Sequence, residues 1–186
     1  MRHPFESIPV EKRPAAFWGL LAATLVVALL MNLIGAPLIT AAAPGGIVTY
    51  ELAGSVAAIQ AILDSWDANA QLHAALSLGF DYVFMLVYGA ALSLACLMAA
   101  TQLRLAGWSL AGLGVPLAWG AWLAAALDAV ENLALILLLF GPVADPWPAV
   151  ARWCAIAKFL LILGCLLYAM FGLAAHLFRR LSVREA

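Results

Sequence analysis

Charge is what this chain has least of. Nine Lys and Arg with ten Asp and Glu make up 10% of its 186 residues, while 67% are hydrophobic. An ordinary soluble domain carries about 25% charged residues, so the polar surface here is too small to cover a soluble globule. The chain also lacks any basic block, which excludes nucleic acid as a partner, because phosphates are neutralised by clustered Lys and Arg. Cysteine is sparse. Cys96, Cys154 and Cys165 fall in hydrophobic runs without CxxC or CxxH spacing. That pattern excludes a structural zinc or iron–sulfur site and leaves small apolar packing residues. Three histidines are too few for a two-haem membrane cytochrome with bis-His ligation, and only His176 falls on an expected span. GxSxG, GxGxxG and GxxxxGK(S/T) are absent, which removes the serine-nucleophile, Rossmann and P-loop readings. No cofactor is expected.

What the chain does have is long apolar runs. Residues 15–40, 74–101, 114–140 and 149–178 each reach the roughly 20 residues that cross a bilayer core. They predict an all-α integral membrane protein: a single domain built as a four-transmembrane-helix bundle. The first run is read as an uncleaved span, since a secretory h-region is only about 7–15 residues long. It bends or ends near Gly35–Pro37 and is closed by Pro44-Gly45-Gly46, where proline and glycine break a helix. Residues 47–66 differ. Leu52, Val56, Ile59, Leu63 and Trp66 recur at helical spacing, with Ser55, Gln60 and Asp64 elsewhere, predicting an amphipathic helix between spans 1 and 2. Helices on anionic lipid carry Lys or Arg on the polar face, and this one has none. It is expected to lie on the ends of the spans as a lid.

Basic residues set the orientation. Arg2, Lys12 and Arg13 precede the first span, Arg104 lies in the 102–112 turn, and Arg179, Arg180 and Arg184 follow the last. Residues 41–73 have no Lys or Arg, and the 141–152 loop has only Arg152. The positive-inside rule then puts both termini in the cytoplasm and the amphipathic helix on the extracytoplasmic side of an inner membrane.

Within the third span, Asp128, Glu131 and Asn132 interrupt LAAALDAVENLALILLL at 123–139. Positions three and four apart share a helix face. At about 1.5 Å of rise per residue, Asn32, Asp81, Glu131, Asn132 and Lys158 all fall roughly 10–15 Å below the outer surface, with Asp128 about one turn deeper. All four spans thus bring a polar side chain to one level. Such residues inside a membrane face a bundle interior or a wet cavity and mark function by default. Lys158 offsets part of the carboxylate charge. The surplus must be protonated, bound to a cation or hydrated.

The expectation is a pocket in the outer half of the bundle, lined by Asn32, Asp81, Tyr88, Asn132 and Lys158. Its ligand is a lipid-like amphiphile or small cation, with Asp128 and Glu131 as an acid/base pair if chemistry occurs. A Mg²⁺ or Ca²⁺ variant on the carboxylates ranks below this for want of Asp-rich repeats, so no metal is assigned. Two other classes compete. One is an accessory or scaffold subunit, docked on another membrane protein or on its own copies, whose polar layer is structural. The other is proton- or cation-coupled transport, disfavoured by nearly wholly apolar stretches such as Leu92–Ala100. Finally, GFDYVFMLVYG at 79–89 and LDAVENLALI at 127–136 resemble a four-span membrane family of bacteria. That resemblance implies the span number and no activity.

Overall fold

The computed structural model describes residues 3–184; Arg2 lies outside them. Among the described residues the regular structure is helical, with no strand. The helices are α1 (Arg13–Gly35), α2 (Ile47–Leu52), α3 (Val56–Ser65), α4 (Ala68–Ala106), α5 (Gly114–Phe140) and α6 (Trp147–Arg184). Four segments, Val10–Leu38, Ala68–Ala106, Ala111–Phe140 and Trp147–Leu181, are long and apolar enough to cross a membrane. The second begins six residues before the expected 74, so His73 also lies on a long helix.

Local chemistry accounts for the helix ends. Asp67 accepts from Ala70 N at 2.7 Å and Ser55 from Ala58 N at 3.3 Å, each satisfying an amide at a helix start. The expected single helix over 47–66 is two helices. Gly54 takes a left-handed φ of 68°, which glycine adopts without steric cost, and Ser55 then caps the next helix.

The chain forms two compact units. The first comprises the chain up to Ala22, Val87–Ala124 and the chain from Phe159; the second comprises Ala23–Leu86 and Ala125–Lys158. In the first unit the core is made of small residues: Cys96, Ala99, Ala100, Ala118, Ala121, Cys165 and Ala175, with Leu97, Leu103 and Tyr168. Small side chains let helix backbones approach closely, and Gly172 of α6 meets Ala99 of α4 directly. Side chains also bond to backbone carbonyls of neighbouring helices. Ser93 Oγ donates to Ala118 O at 2.8 Å and Cys165 Sγ to Leu117 O at 3.3 Å.

The second unit holds a larger-residue core of Leu38, Tyr50, Ile59, Ile62, Trp66, Leu78, Leu135 and Leu138. Here α2 and α3 are packed down rather than loose. Tyr50 Oη donates to Leu135 O at 3.1 Å, and Trp66 Nε1 to Leu38 O at 3.0 Å. Their rings lie 5.2 Å apart. Ser55, Gln60 and Asp64 stay exposed, as their place on the polar face requires.

A Cβ added at Gly172 would overlap both Cβ and Cα of Ala99, which no rotamer change relieves. Gly172→Ala is expected to destabilise the detergent-solubilised protein by about 1–3 kcal/mol, read as a lower thermal unfolding midpoint. Gly19, with nothing within 4 Å of such a Cβ, should accept alanine without loss.

Candidate functional site

The site is built on Lys158. Its ammonium is buried in the second unit and meets three carboxyl groups from two helices. Nζ donates to Asp128 Oδ1 at 2.6 Å and to Glu131 Oε1 at 3.0 Å. It lies 2.9 Å from Glu131 Oε2, paired electrostatically but without hydrogen-bond geometry to that atom. Glu51 Oε2 stands 3.7 Å away, too far for a hydrogen bond but close for a charge. Asp128 and Glu131 reach the same ammonium because a three-residue step on α5 keeps them on one face.

Asp81 and Asn132 extend the cluster. Asn132 Nδ2 donates to Asp81 Oδ2 at 2.7 Å, joining α5 to α4. Tyr82 Oη adds a second α4–α5 tie, donating to Ala129 O at 3.3 Å. Glu131 and Asn132 are completely buried, and Asp128, Lys158, Glu51 and Asp81 are each no more than 7% exposed.

Five of the expected site residues, Asp81, Asp128, Glu131, Asn132 and Lys158, are therefore brought into one buried group. Asn32 is not. It is exposed on α1 and lines a lateral groove instead. Tyr88 is buried within the first unit. The place expected for α1 is taken by Glu51 of α2, a residue that the sequence reading assigned only to an amphipathic lid. The available signal was local: Tyr50 and Glu51 stand just before Gly54-Ser55, a helix stop followed by a cap.

Charge does not balance within this group. Glu51, Asp128 and Glu131 surround one ammonium, Asp81 is joined to the group through Asn132, and uncompensated charges in a low-dielectric interior are untenable. Burial pushes the Glu51 carboxyl above the usual carboxylate range, with Lys158 pulling the other way. Glu51 and Glu131 both approach the same ammonium, and Glu131 Oε2 is buried without a hydrogen-bond donor. Chemically, the arrangement can hold a proton beside an ionised carboxylate. It can also receive a donor: Asn132 Oδ1 is buried without a hydrogen-bond partner, at a cost of about 1–3 kcal/mol for such an atom. Among the described residues no group of three or more His, Cys, Asp and Glu is placed to hold a metal ion; Lys158 Nζ sits between the carboxylates, where a cation would.

No family model, curated protein or solved structure matches the chain.

Removing the central charge should be costly. Lys158→Met is expected to destabilise the protein by about 3–5 kcal/mol, the penalty for an orphaned buried partner. Adding Asp128→Asn and Glu131→Gln should recover most of it, measured by thermal unfolding in detergent. Glu51 also predicts a pH dependence. The folded chain keeps it protonated to higher pH than the unfolded chain does. Its stabilising contribution is complete below the ordinary value of 4.5 and is lost as pH rises through the folded value. Unfolding midpoints of wild type should therefore fall as pH rises above 4.5, and Glu51→Gln should flatten that slope.

Proposed function

We propose that this chain is a multi-pass membrane protein whose buried carboxylate–lysine centre binds the polar end of a lipid-like amphiphile or a small cation. The four long apolar helices support insertion. The distribution of Lys and Arg supports cytoplasmic termini, with α2 and α3 on the other side of the membrane. One observation carries the binding reading: the centre contains more carboxyl groups than its single ammonium offsets, and a buried amide oxygen of the same group has no donor.

Register alone does not call for this. Polar contacts between membrane helices contribute only about 0.6 kcal/mol on average, and the Asn132–Asp81 pair already fixes α5 against α4. Acid/base chemistry is a further step of the same reading. Asp128 and Glu131 both accept from the same ammonium, and two carboxyl groups beside a single cation can set an acid next to a base.

Native mass spectrometry of the detergent-purified protein tests the reading. Wild type should carry a discrete adduct in the mass range of an amphiphile or ion, and Glu131→Gln should lose it. If both forms are bare and equally stable, the binding reading fails and the accessory-subunit reading takes its place.

A further inference from the structure

A lateral groove of about 330 Å³ opens in the second unit, within the size range of small-molecule sites, about 300–1,000 Å³. Ala28, Asn32 and Gly35, spaced along one face of α1, form one wall, Ile47 at the start of α2 one end, and Ser77 and Phe84 of α4 the other wall. Among the described residues the lining carries no charge, and its polar side chains are Asn32 and Ser77, one on each wall. Neither side chain is hydrogen-bonded to a described residue. Other helix hydroxyls of this chain do find carbonyl oxygens: Ser93 bonds to Ala118 O at 2.8 Å and Thr101 to Leu97 O at 3.0 Å. Ser77 is only 2% exposed, so the little surface it keeps lies in the groove it lines. Leu29 and Leu33, next along α1 from Ala28 and Asn32, are exposed, as are Phe80 and Val83 on α4.

We infer that this groove binds an uncharged lipid through a hydroxyl group set between Asn32 and Ser77, with its hydrocarbon chain lying along the exposed apolar residues of α1 and α4. The inference takes membrane insertion from the reading above and is otherwise independent of the carboxylate–lysine centre. Inside a bilayer no water reaches such side chains, and an amide or hydroxyl without a partner there is costly. A bare hydrocarbon would leave both of them unpaired. A charged head would find no counter-charge in the lining and would lose its hydration. A hydroxyl both donates and accepts, as do the Asn amide and the Ser hydroxyl, so it can serve the two walls at once.

The probe is a dodecanol carrying a photoreactive diazirine in its chain, added to the full-length protein in phosphatidylcholine nanodiscs, with the labelled residues mapped by peptide mass spectrometry. Label should concentrate on residues 28–39 and 77–84. Dodecanol should displace it at a concentration about tenfold or more below that needed of dodecyl phosphate or dodecyltrimethylammonium, which share its chain and carry a charged head. The double variant Asn32→Leu with Ser77→Ala removes both polar groups at little change in size, and should lower labelling about tenfold, the value of one to two hydrogen bonds. Label spread evenly over the lipid-facing helices, equal displacement by the three competitors, or full labelling of the double variant overturns the inference. Label that enters the groove only in nanodiscs holding a single copy overturns it as well, because a second copy of the chain then covers the groove. Glu131→Gln, the variant that tests the centre, should be labelled in the groove like wild type, so the failure of either site leaves the other standing.

Discussion

The second unit depends on one ammonium. Lys158 holds Asp128 and Glu131 of α5 at hydrogen-bonding distance and Glu51 of α2 within charge range, and none of these carboxyl groups could stay buried and ionised without it. That requirement fixes α6 against α5 at one level, because the lysine stem reaches the two acids only where the helices face each other. It also ties the short α2 to helices far away in sequence. Glu51 must be delivered into the cluster, and Tyr50 beside it anchors the delivery by donating to Leu135 O. The turn that follows leaves no room for a side chain: Gly54 carries a left-handed φ, and the Arg152 side chain lies across it. A helix interrupted at Gly54 can tuck its first segment inward while Ile59, Ile62 and Trp66 of the next segment cover the core.

Buried ion pairs are a poor route to stability. Replacing one by apolar residues of similar volume is often neutral or even stabilising by about 1–4 kcal/mol. An apolar cluster here would hold the helices as well, which makes the surplus of carboxyl groups the informative feature. The first unit shows the alternative. Its buried polar side chains are His3, Arg13 and Ser93, and its helices meet through alanine, glycine, cysteine and side-chain bonds to carbonyl oxygens. Among the described residues no carboxylate is buried there. The buried carboxyl groups of the described residues thus all belong to the second unit.

Much of this was legible in sequence, and the misses have physical causes. Long helices follow from apolar runs, and the meeting of Asp128, Glu131 and Asn132 follows from the helical repeat. Depth counting set Lys158 and Asp81 beside the α5 polar residues, and the structure joins them there. Depth says nothing of azimuth, however. On α1 apolar residues are spread around the whole helix, so no stripe marks an inner face, and Asn32 was placed inward on level alone. It points to the groove instead. Glu51 was missed for the opposite reason. The apolar positions 52, 56, 59 and 63 keep helical phase straight through Ala53-Gly54-Ser55, hiding the break, and only the glycine and the serine cap signal that the chain turns there.

Asp81 gives the centre its polarity. Asp128 and Glu131 are hydrogen-bonded by the resident ammonium, and Glu51 lies beside it. Asp81 is hydrogen-bonded by a neutral amide whose own oxygen lacks a donor. A carboxylate held by an amide is less compensated than one held by a cation, because an amide N–H brings only a partial positive charge. On the ammonium's side, Glu131 Oε2 likewise lacks a hydrogen-bond donor. Acceptors thus exceed donors throughout the cluster, and Lys158 and Asn132 are the donors that hold its helices together.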